Sequence, residues 1–205
     1  MLFRSQAEPS APDPDLEKEY DIIDTFIGDA ASVIDLGCGD GSFLKRLRDK
    51  NGINGHGIDI DINSIIACSA NGIPALQMDL DNDLGIIPDS TYDCAVLSRT
   101  LLEIHKPHQV LNEMLRIADA GVVSFPNFAN WRHRARLGLS GALPMNKSLP
   151  YEWYDTPNIH FCTLKDFKRF CSENDIVITD ILCIPRGLIG KLFVSLNQCN
   201  IGARS

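Results

Sequence analysis

Nine residues, Val33 to Gly41, constrain this chain more than any other stretch. They read V-I-D-L-G-C-G-D-G, so an apolar run ends in glycines at three alternate positions. An apolar helical pattern begins directly afterwards. Glycines at this spacing allow positive φ angles and let a ligand approach the backbone closely. The stretch therefore predicts a strand, a tight loop and a helix, with a ligand held at the carboxyl end of the first strand.

Apolar runs and helical patterns alternate along the chain as far as Phe125. Strands are predicted at 33–36, 53–60, 73–78, 92–97 and 121–125, and a helix before them has its apolar face at Leu16, Tyr20, Ile23 and Ile27. Parallel strands need crossover connections, so the alternation predicts a parallel sheet with helices on both faces. Two further strand-like runs, 176–184 and 188–196, are separated by a turn so short that they can pair only as an antiparallel hairpin.

Composition narrows the class of protein. The chain has 205 residues, 44% of them hydrophobic, which suits one domain at 15–205 preceded by a flexible, proline-containing extension at 1–14. A formal net charge of -8 disfavours generic nucleic-acid binding. The seven cysteines include no C-x-x-C pair, so neither a disulfide framework nor a metal site is expected. No signal peptide or membrane span is recognisable, which predicts a cytoplasmic protein.

The residues around the glycines distinguish between nucleotide cofactors. Ser42 stands where a dinucleotide-binding loop has its third glycine. Asp35 lies two residues before the first glycine, where its carboxylate suits a ligand with cationic groups better than a pyrophosphate.

At this point the sequence resembles the class I S-adenosylmethionine-dependent methyltransferases, whose fold is Rossmann-like. Asp59 in G-I-D-I and Asp79 in Q-M-D-L match the acidic residues that follow the second and third strands of that family. The resemblance implies that the glycine loop admits the methionine part of S-adenosylmethionine, that Asp59 accepts from the ribose hydroxyls, and that Asp79 lies beside the adenine. The predicted cofactor-binding residues are Asp35, Gly37, Cys38, Gly39, Asp59, Ile60, Asp79, Leu80 and Ser98.

The second half of the chain resembles a narrower group, the methionine-biosynthesis MetW family. The motifs that carry this likeness are S-F-P-N-F-A-N-W-R-H-R at 124–134, L-P-Y-E-W-Y-D-T-P-N-I-H-F-C-T at 149–163 and S-R-T-L-L-E-I at 98–104. The resemblance implies a methyltransferase-like protein of methionine biosynthesis that has homoserine O-acyltransferase as its partner or regulatory target. Whether such a chain transfers a methyl group is left open.

Regular alternation stops after Phe125, and residues 126–162 are predicted to form a lid or a partner-docking insertion. Four basic side chains fall within five positions, at 132, 133, 134 and 136. They indicate either a solvated helix face with Trp131 as its packing anchor, or a docking patch for a carboxylate or an acidic protein surface. The predicted partner or acceptor residues are Trp131, Arg132, Arg134, Tyr151 and Trp153.

An active methyltransferase for a small molecule is the alternative function. Residues 126–162 would then cover the acceptor, and Tyr154, Asp155 and His160 are the candidates for orienting it. For Tyr151, Trp153 and Tyr154, ordinary core packing is an equal alternative. A degenerate fold that no longer binds the cofactor is a third possibility.

Overall fold

A seven-stranded sheet organises the computed structural model, which describes residues 14–143, 152, 154–186 and 189–198. The strands are β1 (Ser32–Leu36), β2 (Asn54–Asp59), β3 (Ala75–Gln77), β4 (Tyr92–Ser98), β5 (Ala118–Pro126), β6 (Ile176–Arg186) and β7 (Ile189–Gln198). The helices are α1 (Pro14–Ile27), α2 (Ser42–Asn51), α3 (Ile62–Ala70), α4 (Pro107–Ile117), α5 (Trp131–Ser140) and α6 (Leu164–Glu173).

The strand order is β3-β2-β1-β4-β5-β7-β6. Strands β1 to β5 are mutually parallel, and β7 inserts antiparallel between β5 and β6. This arrangement confirms the predicted fold class, including the C-terminal hairpin. Residues 187 and 188 of the predicted hairpin turn lie outside the described residues.

Each face of the sheet is covered by its own set of helices. Val33 packs in a cluster with buried side chains of α1, α2 and α3, whereas its neighbour Ile34 packs with α4 and α6 on the other face. Both side chains are almost completely buried, at 0% and 1% exposure. A strand covered on both faces loses the polar alternation of a half-exposed strand, which explains why the adjacent residues Val33 and Ile34 of β1 are both apolar.

Strand β5 is longer than the sequence predicts. It begins at Ala118, immediately after α4, and not at Gly121. The backbone N–H groups of Ser90 and Thr91 donate to the carbonyls of Arg116 and Ile117, so the end of the helix is capped without a connecting loop. Strand β3 has three residues, fewer than its apolar run suggests.

Helix α5 occupies part of the segment 126–162. The side chain of Asn130 accepts a hydrogen bond from the Arg132 N–H, and Gly141 ends the helix with a φ of +65°. Trp131 is 69% exposed, so it is not the packing anchor that the sequence suggested. His133, which is 3% exposed, is instead the residue that anchors α5 by packing. The predicted extension lies outside the described residues except for Pro14, where α1 begins.

Candidate functional site

The predicted cofactor residues converge at the carboxyl edge of the parallel strands. The strand order reverses between β1 and β4, and ligands of open α/β sheets bind at such a switch point. Asp35 pairs in register with Val96 of β4, and Leu36 pairs with Ile58, one residue before Asp59. The glycine loop therefore follows β1 at the crevice where the strand order reverses.

Each glycine of the loop has its own reason to lack a side chain. A Cβ on Gly37, whose φ is +88°, would lie 2.2 Å from Thr100 Oγ1, and one on Gly41 would lie 2.8 Å from Cys68 Sγ. A Cβ on Gly39 would meet nothing within 4 Å. Gly37 and Gly41 thus permit close packing within the protein, while Gly39 faces open space into which a ligand can fit.

Asp59 holds the loop from β2. Its Oδ2 accepts from the Gly39 N–H at 2.8 Å, and its Oδ1 accepts from the Asp61 N–H at 2.9 Å. A carboxylate oxygen has two lone pairs, so each oxygen can accept a further bond from a ligand hydroxyl. Ile60 follows with 66% of its surface exposed and offers an apolar face beside this carboxylate.

Asp35 is the most unusual polar group of the site. It is 4% exposed, and its Oδ1 has no hydrogen-bond partner among the described residues. Burial, with a further contribution from the charge of Asp59, raises the pKa of Asp35 to about 7. An unsatisfied buried carboxylate is costly, so a cation or donor placed against it would be strongly favoured.

Asp79 lies in a hydrogen-bonded turn at the rim. Its Oδ1 accepts from the Asp81 N–H at 2.9 Å, and its Oδ2 accepts from the Asn82 side-chain amide at 2.7 Å. Asp81 in turn accepts from the backbone N–H groups of His105 and Lys106. These bonds join the residues after β3 to the loop before α4. Within the described ranges, no cluster of three or more His, Cys, Asp or Glu side chains could hold a metal ion.

The remaining predicted cofactor residues differ in what they can offer. Ser98 hydrogen-bonds Ser124 at 2.9 Å across the ends of β4 and β5. Leu80 is half-buried against the core. Cys38 is buried, with its Sγ 3.7 Å from Cys68 Sγ, and its N–H donates to Ile58 O. The Cys38 carbonyl accepts from the Gly41 N–H at 3.1 Å and keeps a second lone pair that a ligand could use.

Helix α1 brings Tyr20 to the site, although the helical pattern predicts Tyr20 only as part of an apolar face. The Tyr20 hydroxyl hydrogen-bonds Ser42 Oγ at 3.0 Å, beside the glycine loop. Burial raises the pKa of Tyr20 to about 12, with further contributions from Asp35 and Asp40. Tyr20 is thus a neutral hydroxyl close to the buried carboxyl of Asp35.

An ion pair fixes α1 over this edge of the sheet. Arg99 donates from Nε and Nη2 to the two carboxylate oxygens of Glu19, at 2.9 and 3.1 Å. Glu19 is 4% exposed, and Arg99 has a φ of +66°. The sequence contains a signal for this pair. Glu19 lies four residues before Ile23 on the inward face of α1, where a carboxylate requires a buried partner.

The candidates for acceptor chemistry lie on exposed loops. Tyr154 is 72% exposed, and Asp155 and His160 are also exposed. The backbone N–H groups of Ile159 and His160 donate to Leu102 O at 2.9 and 3.1 Å. The segment around His160 is therefore held against the loop that follows β4, and the catalytic roles of all three residues stay predictions.

The predicted partner residues fall on α5 or outside the described part. Burial lowers the pKa of His133, whose Nδ1 lies 3.3 Å from Phe128 O, so His133 is not one of the surface cations. The basic cluster therefore has three exposed charges and not four. The Arg132 guanidinium lies 5.2 Å from the centre of the Trp131 ring. Tyr151 and Trp153 lie outside the described residues.

Among the described helices, none has both the length and the apolar composition needed to cross a membrane.

The sequence matches a known protein family and a curated relative. The family model described as "Methionine biosynthesis protein MetW" matches residues 17–192. A curated protein of Rhodopirellula baltica, "Bifunctional methionine biosynthesis protein MetXA/MetW", is 29% identical over 189 residues. The match includes 87% of this chain but 30% of that protein, so the chain spans less than a third of its relative.

Solved structures with the same fold differ in their activities. The [4+2]-cyclase SpnF matches with a TM-score of 0.69 at 13% identity, over 94% of this chain and 85% of that one. Magnesium protoporphyrin IX methyltransferase of Synechocystis PCC 6803 with bound SAH also gives 0.69, at 14% identity, over 89% and 83% of the two chains. An S-adenosylmethionine-dependent methyltransferase of Mesorhizobium loti gives 0.66 at 19% identity, over 88% and 97%. At these identities the likeness establishes the fold.

Proposed function

Because the chain belongs to the MetW family of methionine biosynthesis proteins, we propose that it binds S-adenosylmethionine and acts with homoserine O-acyltransferase as a partner or regulator. The observation that carries the cofactor part is the buried Asp35 carboxyl, whose Oδ1 has no partner in the described part of the chain. It lies beside a loop with open space at Gly39.

The described residues fit this cofactor. S-adenosylmethionine carries a sulfonium and an ammonium group, and when bound it supplies an activated methyl group. Asp35 provides negative charge in a desolvated position, where attraction to a cation is strongest. Asp59 would accept from the ribose hydroxyls with lone pairs that its backbone bonds leave available. Ile60, Asp79 and Leu80 would surround the adenine.

The relative from Rhodopirellula baltica supports the partner. Its name joins MetXA and MetW in one bifunctional methionine biosynthesis protein, and the family resemblance implies that the partner of a MetW chain is homoserine O-acyltransferase. A fusion holds its two domains at a high effective concentration, which supports association between a MetW chain and the acyltransferase. The cofactor is itself made from methionine, so a chain that binds it beside the acyltransferase could report the methionine supply to the pathway.

The test is association with the acyltransferase of the same organism. We expect the two purified proteins to co-elute at micromolar concentration, and acyltransferase activity to change when this chain is added. Absence of both effects would contradict the partner role. The Asp59→Ala variant serves as the control for the cofactor, because its effect on the acyltransferase should no longer respond to S-adenosylmethionine.

A second candidate, methyl transfer to a small molecule, is favoured by one observation. The bonds from Ile159 and His160 to Leu102 O hold the segment 154–163 at the carboxyl end of β4. Side chains there could orient an acceptor toward the cofactor. Incubation with methyl-labelled cofactor and cell extract distinguishes the two functions. A labelled small molecule would favour catalysis, whereas tight binding without turnover would favour the regulatory role.

A further inference from the structure

Helix α5 is well formed but buries little of its own surface. Both of its ends are capped, by Asn130 and by Gly141. Of its ten residues, His133 is buried, and Ala135 is partly buried. A helix of this length is marginal in isolation and normally depends on tertiary packing. The side of α5 opposite His133 is therefore a surface that further packing would stabilise.

The exposed side of α5 combines apolar and basic groups in a regular pattern. Trp131, Ala135 and Leu139 recur every four residues and so lie along one side of the helix. Trp131 is 69% exposed and Leu139 is 89% exposed. Arg132 and Arg136 lie along one edge of this apolar line, and Arg134 lies along the other. We call this set the α5 ridge.

Charge indicates what the α5 ridge can bind. It carries three guanidinium groups in a chain whose formal net charge is -8. Arg134 and Arg136 form no ion pair within the described ranges. An apolar line flanked by arginines matches a groove with an apolar floor and acidic walls.

Two other occupants fit this charge pattern poorly. A symmetric contact between two copies would bring α5 against α5 and oppose three guanidiniums with three more. The segment that follows α5 in sequence, residues 142–151, contains a lysine and no Asp or Glu, so it cannot supply the acidic walls.

We infer that the α5 ridge docks into an apolar groove with acidic walls on homoserine O-acyltransferase. The inference rests on the proposed function, which names the partner, and adds the surface that binds it. The ridge lies on a different element from the residues that surround the cofactor, so binding of the partner and binding of the cofactor can be measured separately. Phe128 joins α5 to the segment 154–163, because its ring packs on His133 of α5 and on Phe161, with ring centres 5.6 and 4.4 Å apart.

The experiment measures the affinity of the full chain for the acyltransferase by calorimetry. The test variant is Arg134→Glu with Arg136→Glu, and the matched control is Lys165→Glu with Lys168→Glu on the exposed face of α6. Both pairs change the net charge by the same amount. We expect the α5 variant to weaken association at least about tenfold and the control to change it less than about twofold. Raising the salt concentration should weaken the wild-type complex, because exposed charges are screened.

The outcomes separate the surface from the partner. If the wild type binds and the α5 variant binds equally well, the α5 ridge is not the docking surface, while the proposed function stands. If the wild type does not bind the acyltransferase, both are overturned. If sedimentation shows a dimer of this chain that the α5 variant disrupts, the ridge binds a second copy and the inference is wrong. A Trp131→Ala, Leu139→Ala variant gives an uncharged check, and unchanged cofactor binding shows that each variant is folded.

Discussion

The ionised carboxylate of Asp35 is energetically unfavourable in its position in the protein. Its position at the end of a buried strand removes it from water, and its Oδ1 gains no hydrogen bond among the described residues. The nearby carboxylate of Asp59 adds repulsion. A cation bound beside Asp35 would offset the free-energy cost of burying the ionised carboxylate. Binding of a cation is therefore more favourable here than at a carboxylate exposed to water. We therefore expect Asp35 to link proton binding to binding of the proposed cofactor.

The affinity for the cofactor should depend on pH through Asp35. With a pKa of about 7, the carboxyl is mostly protonated at pH 5.5 and about half ionised at pH 7. Cofactor affinity measured by calorimetry should rise about tenfold between these values, a range in which the ligand's own amino group stays protonated. Asp35→Asn should bind weakly and show a flat profile. An equally steep profile in Asp35→Asn would assign the effect to another group.

Asp35 should also lower the stability of the ligand-free protein at neutral pH. Its folded pKa of about 7 lies above the ordinary value of 3.8, so the folded state binds the proton more tightly. The contribution of this group to the free energy of unfolding therefore falls as the pH rises from about 4 to about 7. At pH 8, Asp35→Asn should be more stable than the wild type by about 1–3 kcal/mol, after allowing for an unsatisfied amide. Urea unfolding measures this, and a destabilised variant at pH 8 would contradict it.

Gly37 should tolerate no side chain. An alanine there would need a φ of +88° and a Cβ 2.2 Å from Thr100 Oγ1. We expect Gly37→Ala to lose about 2–4 kcal/mol of stability. Gly138→Ala on α5 is the control, since its Cβ meets nothing within 4 Å and alanine favours helix. Adding Thr100→Ala to Gly37→Ala should restore part of the loss. Equal stability of Gly37→Ala and Gly138→Ala in urea would refute the close approach.

At the scale of elements, the sequence predicts those whose pattern is local. The apolar runs of β1, β4 and the hairpin, and the apolar stripes of α2 and α4, each identify an element from neighbouring residues alone. Helix α5 has no apolar stripe facing the core, so the sequence predicts it only as one of two interpretations of the basic cluster. Its packing depends on the contact between His133 and Phe128, which no pattern in the sequence predicts.

The Glu19–Arg99 pair should contribute to the free energy of unfolding by holding α1 against the sheet. Arg99→Met removes two charge-assisted bonds from a carboxylate that is 4% exposed, and we expect a loss of about 1–3 kcal/mol. Glu19→Gln should cost a similar amount, and the double variant less than the sum. A double-mutant cycle by thermal or urea unfolding measures the coupling. Strictly additive losses would show that the two side chains do not act together.

At the scale of the whole molecule, the sheet order places the site and leaves the activity open. The sequence predicts the carboxyl-edge cluster because the glycine loop, Asp59 and Asp79 each follow a recognisable strand. It does not predict that Tyr20 and Arg99 join them, since these contacts arise only when α1 folds across the sheet. The same fold occurs in a cyclase and in methyltransferases, so fold alone does not fix the reaction.

Calorimetric titration of the purified chain with S-adenosylmethionine, run in parallel on Asp59→Ala, tests whether this protein binds the cofactor at the glycine loop. We expect one site per chain with micromolar or tighter affinity in the wild type, and an affinity at least about tenfold weaker in Asp59→Ala, because charge-assisted bonds to the ribose would be lost. Circular dichroism confirms that the variant is folded. No measurable binding by the wild type, or equal binding by Asp59→Ala, would rule out the proposed cofactor site.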